Sequence, residues 1–188
     1  GAIAEELNAK IVRGQKKVER DVAEFIAEQI NNSYEMIELR GGYLQGALGV
    51  TNPQAAVLDI MRAVRDSVQV KTRKYNDRLK GGGIFVYIQP SNFSNLLSLP
   101  TGNTPINDGV LHWLRWLLEF GDRIIVAGYD YDPESGLGRT GLGTMEKGGS
   151  FRIPPEFSGT KDDNFITRAI VTRATDEFIG KSIERMLQ

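Results

Sequence analysis

From Ile3 to about Ser33 the chain repeats apolar residues at helical spacing: Ile3, Leu7, Ile11, Val18, Val22, Phe25, Ile26 and Ile30. The other faces carry Glu5, Glu6, Lys10, Lys16, Lys17, Glu19, Arg20 and Asp21. This period predicts one long amphipathic helix, with Gly14 as the point where it bends or splits. Thirty helical residues reach roughly 45 Å, more than the width of a small domain. Two readings follow. The helix is the centre of the core, or its end projects and packs on another subunit.

The remaining sequence must cover that stripe, and 188 residues suit one domain, 1–188, with a core of its own. The 23 basic and 24 acidic residues leave a net charge of −1, so the molecule as a whole does not trap nucleic acid or membrane. The absence of cysteine excludes disulfides, thiol catalysis and cysteine metal sites, and fits a reducing cytoplasm. Apolar runs fall well short of the roughly 20 residues that cross a bilayer. The opening GAIAEELNAK lacks the basic-then-apolar pattern of a secretory signal, so a soluble protein without a targeting segment is expected.

Along the chain, Asn52 followed by Pro53 predicts a capped helix that runs to about Arg65 and buries Ala56, Val57, Ile60, Met61 and Val64. SVQVKTRKY alternates Val68, Val70 and Thr72 with Gln69, Lys71 and Arg73, the mark of a half-exposed strand. GIFVYIQP (83–90) reads as its partner across a loop holding Gly81, Gly82 and Gly83. Residues 91–108 read as a loop, after which Asn107 or Asp108 caps a buried helix, VLHWLRWLLEF, ended by Gly121. RIIVAGYDYD (123–132) reads as a strand of the buried type that frays into polar residues. Residues 128–160 hold eight of the 21 glycines and three of the 7 prolines, the composition of an extended loop. Phe165, Ile166, Ala169, Ile170, Phe178, Ile183 and Met186 mark a closing helix from Asp162 or Asp163. The fold class is α+β: helices packed on a small, mostly antiparallel sheet, with long N-terminal and C-terminal helices and a long glycine-rich loop.

Gly136, Gly138 and Gly141 satisfy G-x-G-x-x-G, the spacing of a pyrophosphate-binding turn. That chemistry needs a strand running into the glycines and a helix leaving them. Here Pro133-Glu134-Ser135 precedes them, and Gly148-Gly149 and Pro154-Pro155 forbid a continuous helix after them. Asp130, Asp132 and Glu134 would also repel phosphate. A nucleotide cofactor is therefore not expected. His112 is the only histidine and is expected to be packed beside Trp113. No second histidine or cysteine completes a zinc site, and the acidic run 129–134 lacks the glycine and terminal glutamate of an EF-hand loop. No serine sits in a nucleophile elbow. No catalytic, metal or cofactor residue is assigned, and an enzyme is not expected.

KTRKYNDRLK (71–80) sets Lys71, Arg73, Lys74, Arg78 and Lys80 against Asp77 alone, with Tyr75 among them. Three readings apply: a solvated hairpin tip, a nucleic-acid contact, or a contact with an acidic neighbour.

Several stretches resemble the tail-completion, or head-to-tail connector (neck), proteins of tailed bacteriophages. ELRGGYLQGALGV (38–50) is similar to that family's segment after the N-terminal helix. Trp116-Leu117-Leu118-Glu119-Phe120-Gly121 resembles its apolar helix end. Asn164-Phe165-Ile166-Thr167-Arg168-Ala169-Ile170 resembles the aromatic–arginine–alanine opening of its last helix, and 138–170 resembles phage structural proteins with a glycine-rich loop there. The likeness runs in order over most of the chain, and the loop at 128–160 is longer here. The resemblance implies a non-enzymatic subunit of a six- or twelve-fold ring between portal and tail. Its partners would be portal, adaptor and tail proteins, with genomic DNA passing through the lumen and no membrane contact. Assembly would occur in the host cytoplasm and the final location would be the virion neck. A tail terminator or another virion ring protein is the neighbouring alternative, and a nucleic-acid-binding module using 71–80 is the more distant one. A ring needs two different complementary surfaces. The long helix offers one, and an apolar-tipped loop with Leu137, Arg139, Leu142, Met145, Phe151, Ile153 and Phe157 offers the other.

Overall fold

In a computed structural model that describes all 188 residues, helix α1 (Ala2–Asn31) runs unbroken through Gly14. Its stripe of Ala4, Ile11, Val18, Val22, Ala23, Ile26, Ala27 and Ile30 is buried along its whole length. The last helix, α8 (Arg173–Leu187), covers much of it. Phe178 stacks on Phe25 with ring centroids 4.2 Å apart, while Lys10 donates to the carbonyl of Leu187 at 3.2 Å. These contacts make α8 run antiparallel to α1. The chain therefore covers its own long stripe, and a projecting end is not observed, although Ile3 and Val12 stay exposed.

Two short helices follow, α2 (Tyr34–Gly41) and α3 (Tyr43–Ala47), then α4 (Pro53–Ser67). Helix α4 forms where its signals place it: the Asn52 side chain accepts from the Ala55 amide, Pro53 fills the first turn, and all five expected apolar residues are buried. Strands β1 (Gln69–Arg73) and β2 (Gly83–Tyr87) pair antiparallel with Val70 inward and Gln69, Lys71 and Arg73 outward, as the alternation requires.

Helix α5 (Ser94–Leu97) leads to strands β3 (Thr104–Ile106) and β4 (Gly109–Leu111), where a helix start was expected. Ile106 faces Gly109, so Asn107 and Asp108 are the two-residue turn of a hairpin and not helix caps. Helix α6 starts only at Trp113, and its single turn (Trp113–Arg115) widens into a π-helical turn over Trp116–Phe120. Gly121 ends it at φ +63°. His112 precedes the helix, lies exposed and pairs with the Asn103 side chain, so it is not packed as expected.

Strand β5 (Ile124–Asp132) is mostly exposed, with only Tyr131 buried, and 128–160 is not a continuous loop. Thr144–Arg152 forms β6, which pairs antiparallel with β5, and glycines at 128, 148 and 149 with positive φ accompany the irregular register of this ribbon. The closing helix is also two helices. Asn164, not Asp162 or Asp163, caps α7 (Phe165–Ile170) in a reciprocal pair with Thr167, and Thr172 caps α8 afresh.

The architecture is α+β. Its strands form three separate two-stranded antiparallel sheets set against the helices. One cluster of 28 buried residues, from Val18 to Ile166, holds the helices together.

Candidate interaction surfaces

The β5–β6 ribbon is pinned at two places. At its root Phe151 and Ile153 are buried, and Phe157 beyond them packs near Tyr34 and Tyr43. Farther out, Tyr131 is held edge-on to Tyr43 at 5.2 Å. Gly46 of α3 permits this approach, since a β-carbon there would stand 1.9 Å from the Tyr131 hydroxyl. Between these points residues 127–130 and 146–149 are all exposed, so both faces of the ribbon meet solvent. Beyond Asp132 the chain turns through 133–143.

These positions divide the residues proposed for a subunit contact. Phe151, Ile153 and Phe157 belong to the chain's own core and are corrected out of that set: their apolar side chains already have partners. Leu142 and Met145 are half-buried, with Leu142 beside Gly46. Leu137, 83% exposed, and Arg139 remain free at the surface.

The G-x-G-x-x-G spacing has a local cause. A β-carbon on Gly138 would meet the Gly143 carbonyl at 1.8 Å, and one on Gly143 would meet that of Asp132 at 2.0 Å. The Tyr131 hydroxyl accepts from the Gly143 amide at 3.0 Å. These glycines let backbone lie on backbone in a hairpin end between two antiparallel strands, with no helix following. The nearby carboxylates serve turns as well: Asp132 accepts from the Glu134 amide at 2.9 Å. No cluster of three or more histidine or acidic residues has metal-binding spacing, and no helix is long and apolar enough to cross a membrane.

The second surface is the outward face of β1–β2. Lys71 lies 5.4 Å from the Tyr87 ring centroid, and the Arg73 guanidinium 5.5 Å from that of Phe85. Phe85 and Tyr87 are 40% and 53% exposed. Lys74, Arg78 and Lys80 are exposed in the connecting loop, so the structure brings the five cations onto one hairpin. None of the five makes an ion pair, while Asp77 faces the Gly1 amino group. Sequence reasoning missed the two aromatics. The signal was the alternation in GIFVY, which sends Phe85 and Tyr87 out when Ile84 and Val86 face in.

A third feature is electrostatic and internal. Glu35 is 4% exposed, at the first turn of α2, and pairs with Arg168 of α7. Burial pushes its carboxyl above the ordinary glutamate range, against the opposing pull of its own backbone amide and Arg168. The Glu19 carboxyl moves the other way, because it accepts the Val70 amide at 2.9 Å. Burial raises the Tyr43 hydroxyl, with Asp130 adding to the effect. An open depression of about 460 Å³ is lined mainly by polar residues, including Asp59, Arg62, Asp66 and Gln69.

Comparison with protein-family models, with curated proteins and with solved structures returned no match to this chain.

Proposed function

We propose that the chain is a non-enzymatic structural subunit of an oligomeric ring, and that the ring is the one the sequence resemblance implies, at the neck of a tailed-phage virion. The observation that carries the reading is the β5–β6 ribbon. Two nine-residue strands pair only with each other, and residues at the middle of both are bare on both faces. A two-stranded ribbon is marginal by itself in water, and its outer edges carry unpaired amides and carbonyls that template further pairing. Glu146 and Lys147, exposed on β6, favour a charge-matched neighbour over indiscriminate pairing.

A ring is closed by head-to-tail contacts between unlike patches. Here the ribbon and its end, with Leu137 and Arg139, form one patch. The receiving patch lies on a neighbouring copy. Portal, adaptor or tail proteins cover the axial faces, and assembly precedes the virion location. A tail terminator would use the same contacts.

Native mass spectrometry of the purified chain, alone and mixed with portal and tail proteins, tests the reading. The expected result is a discrete six- or twelve-fold species, alone or on a partner. A monomer at every concentration that ignores those partners overturns it.

A further inference from the structure

We infer that the outward face of β1–β2 is a binding surface for single-stranded nucleic acid, with Lys71 and Arg73 contacting phosphates while Phe85 and Tyr87 stack on bases. This does not depend on ring formation.

The face combines two requirements that rarely meet by accident. Strands β1 and β2 contain no acidic residue, and the hairpin carries five cations without a carboxylate partner. Unpaired cations on one rigid element attract a polyanion at long range, even though the molecule's net charge is −1. Phe85 and Tyr87 then supply what a phosphate-binding patch alone does not need. Aromatic side chains of this size are normally drawn into the core, yet these two stand outward, one strand period apart, roughly 7 Å along β2. Each ring lies under a cation of the facing strand. An unpaired base presents a flat face that can take the cation's place on the ring, while the freed cation turns to the adjacent phosphate. A duplex keeps its base faces stacked inside and has no use for exposed rings.

The platform is also held along the edge of β1 that β2 leaves free. There Gln15 donates to the Val70 carbonyl at 2.6 Å and Glu19 accepts from the Val70 amide, so α1 fixes Val70 by both of its backbone groups. Asn8 likewise holds Tyr75 through its amide and its carbonyl, at 2.8 and 2.9 Å. Binding therefore orders only side chains. An acidic protein segment would satisfy the cations but would leave both rings unused.

The test is fluorescence anisotropy of a labelled oligothymidylate with the full chain at graded salt, with a duplex of equal length and a polyglutamate peptide as competitors. Single-strand binding is expected to weaken with salt, at a log–log slope of about 1 to 2 for the two phosphate contacts of Lys71 and Arg73. Replacing both rings, Phe85→Leu with Tyr87→Leu, should weaken it by about tenfold or more at constant salt slope. Lys71→Glu with Arg73→Glu should abolish it. All four side chains are surface groups, and unchanged thermal unfolding would show that the variants fold. Binding indifferent to the ring substitutions, preference for the duplex, displacement by polyglutamate at equal charge, or no binding at all would each overturn the proposal.

Discussion

Gly14 of α1 lies directly against Met186 of α8: a β-carbon on the glycine would stand 2.1 Å from Met186 Cγ and 3.1 Å from its Cβ. The absence of a β-carbon at Gly14 lets the Met186 side chain pack onto the α1 backbone, and α1 runs unbroken past that contact. Gly14→Val should cost about 1–3 kcal/mol through overpacking. Met186→Ala in the same chain should recover most of that loss, because it vacates the space. Urea unfolding of the two single variants and the double variant measures the coupling, and simple additivity would show that the residues do not meet.

Asn164 is fully buried and serves three segments at once. Its carbonyl oxygen accepts from the Ile166 and Thr167 amides, and its amide donates to the Leu118 and Thr160 carbonyls. Asn164→Ala removes a helix cap and strands buried carbonyls, for a cost of about 2–4 kcal/mol. Asn164→Asp keeps the cap oxygen but sets a buried acceptor against the Leu118 and Thr160 carbonyls, so it should cost as much as alanine or more. Chemical denaturation ranks the three proteins, and an aspartate variant as stable as wild type would mean that the two donated bonds contribute nothing.

Glu19 and Glu35 set opposite pH dependences. Glu19 is lowered from 4.5 by the Val70 amide, so the stability it contributes is present above that value and lost as pH falls through its folded value. Glu35 is raised by burial, so its contribution is full below 4.5 and is lost as pH rises through its folded value. Glu19→Gln keeps an oxygen that accepts the Val70 amide but loses its charge, so it should flatten the acid side of a stability–pH curve and cost about 1 kcal/mol at neutral pH. Glu35→Gln should flatten the curve just above 4.5 and leave the acid side unchanged. Thermal melts from pH 3 to 8 separate the two; matching profiles for both variants would refute the assignment.

How legible these features were depended on the strength of the local period. Helices α1 and α4 and the β1–β2 hairpin carry one dominant apolar face each, so the pattern alone located them. The turn at Asn107-Asp108-Gly109 misled because asparagine and aspartate cap helices and also build tight hairpin turns, and only the pairing of Ile106 with Gly109 decides between these uses. Strand β6 was hidden for another reason. Its middle is exposed on both faces, so it has no alternation to read, and Gly148-Gly149 look like a loop. The break between α7 and α8 rests on Thr172, whose side chain accepts from the Thr175 amide; an apolar period that continues on both sides concealed it. For the candidate sites, the five cations were visible in the sequence, but the burial of Phe151, Ile153 and Phe157 is a tertiary fact.

Leu137 separates assembly from folding. It is 83% exposed and touches no part of the core, so Leu137→Asp should change the stability of the isolated chain by less than about 0.5 kcal/mol. If the ribbon end is a subunit contact, the same change places a charge in an apolar seat and should lower the fraction of assembled protein at least tenfold. Hydrogen exchange adds a positional check. Residues 144–152 already bond to β5 within the chain, so new protection on assembly should concentrate in 133–143 and along the outer edges of the ribbon. Assembly with undiminished yield by Leu137→Asp, together with no added protection in 133–143, would remove the ribbon end from the interface and leave the ring reading without its main support.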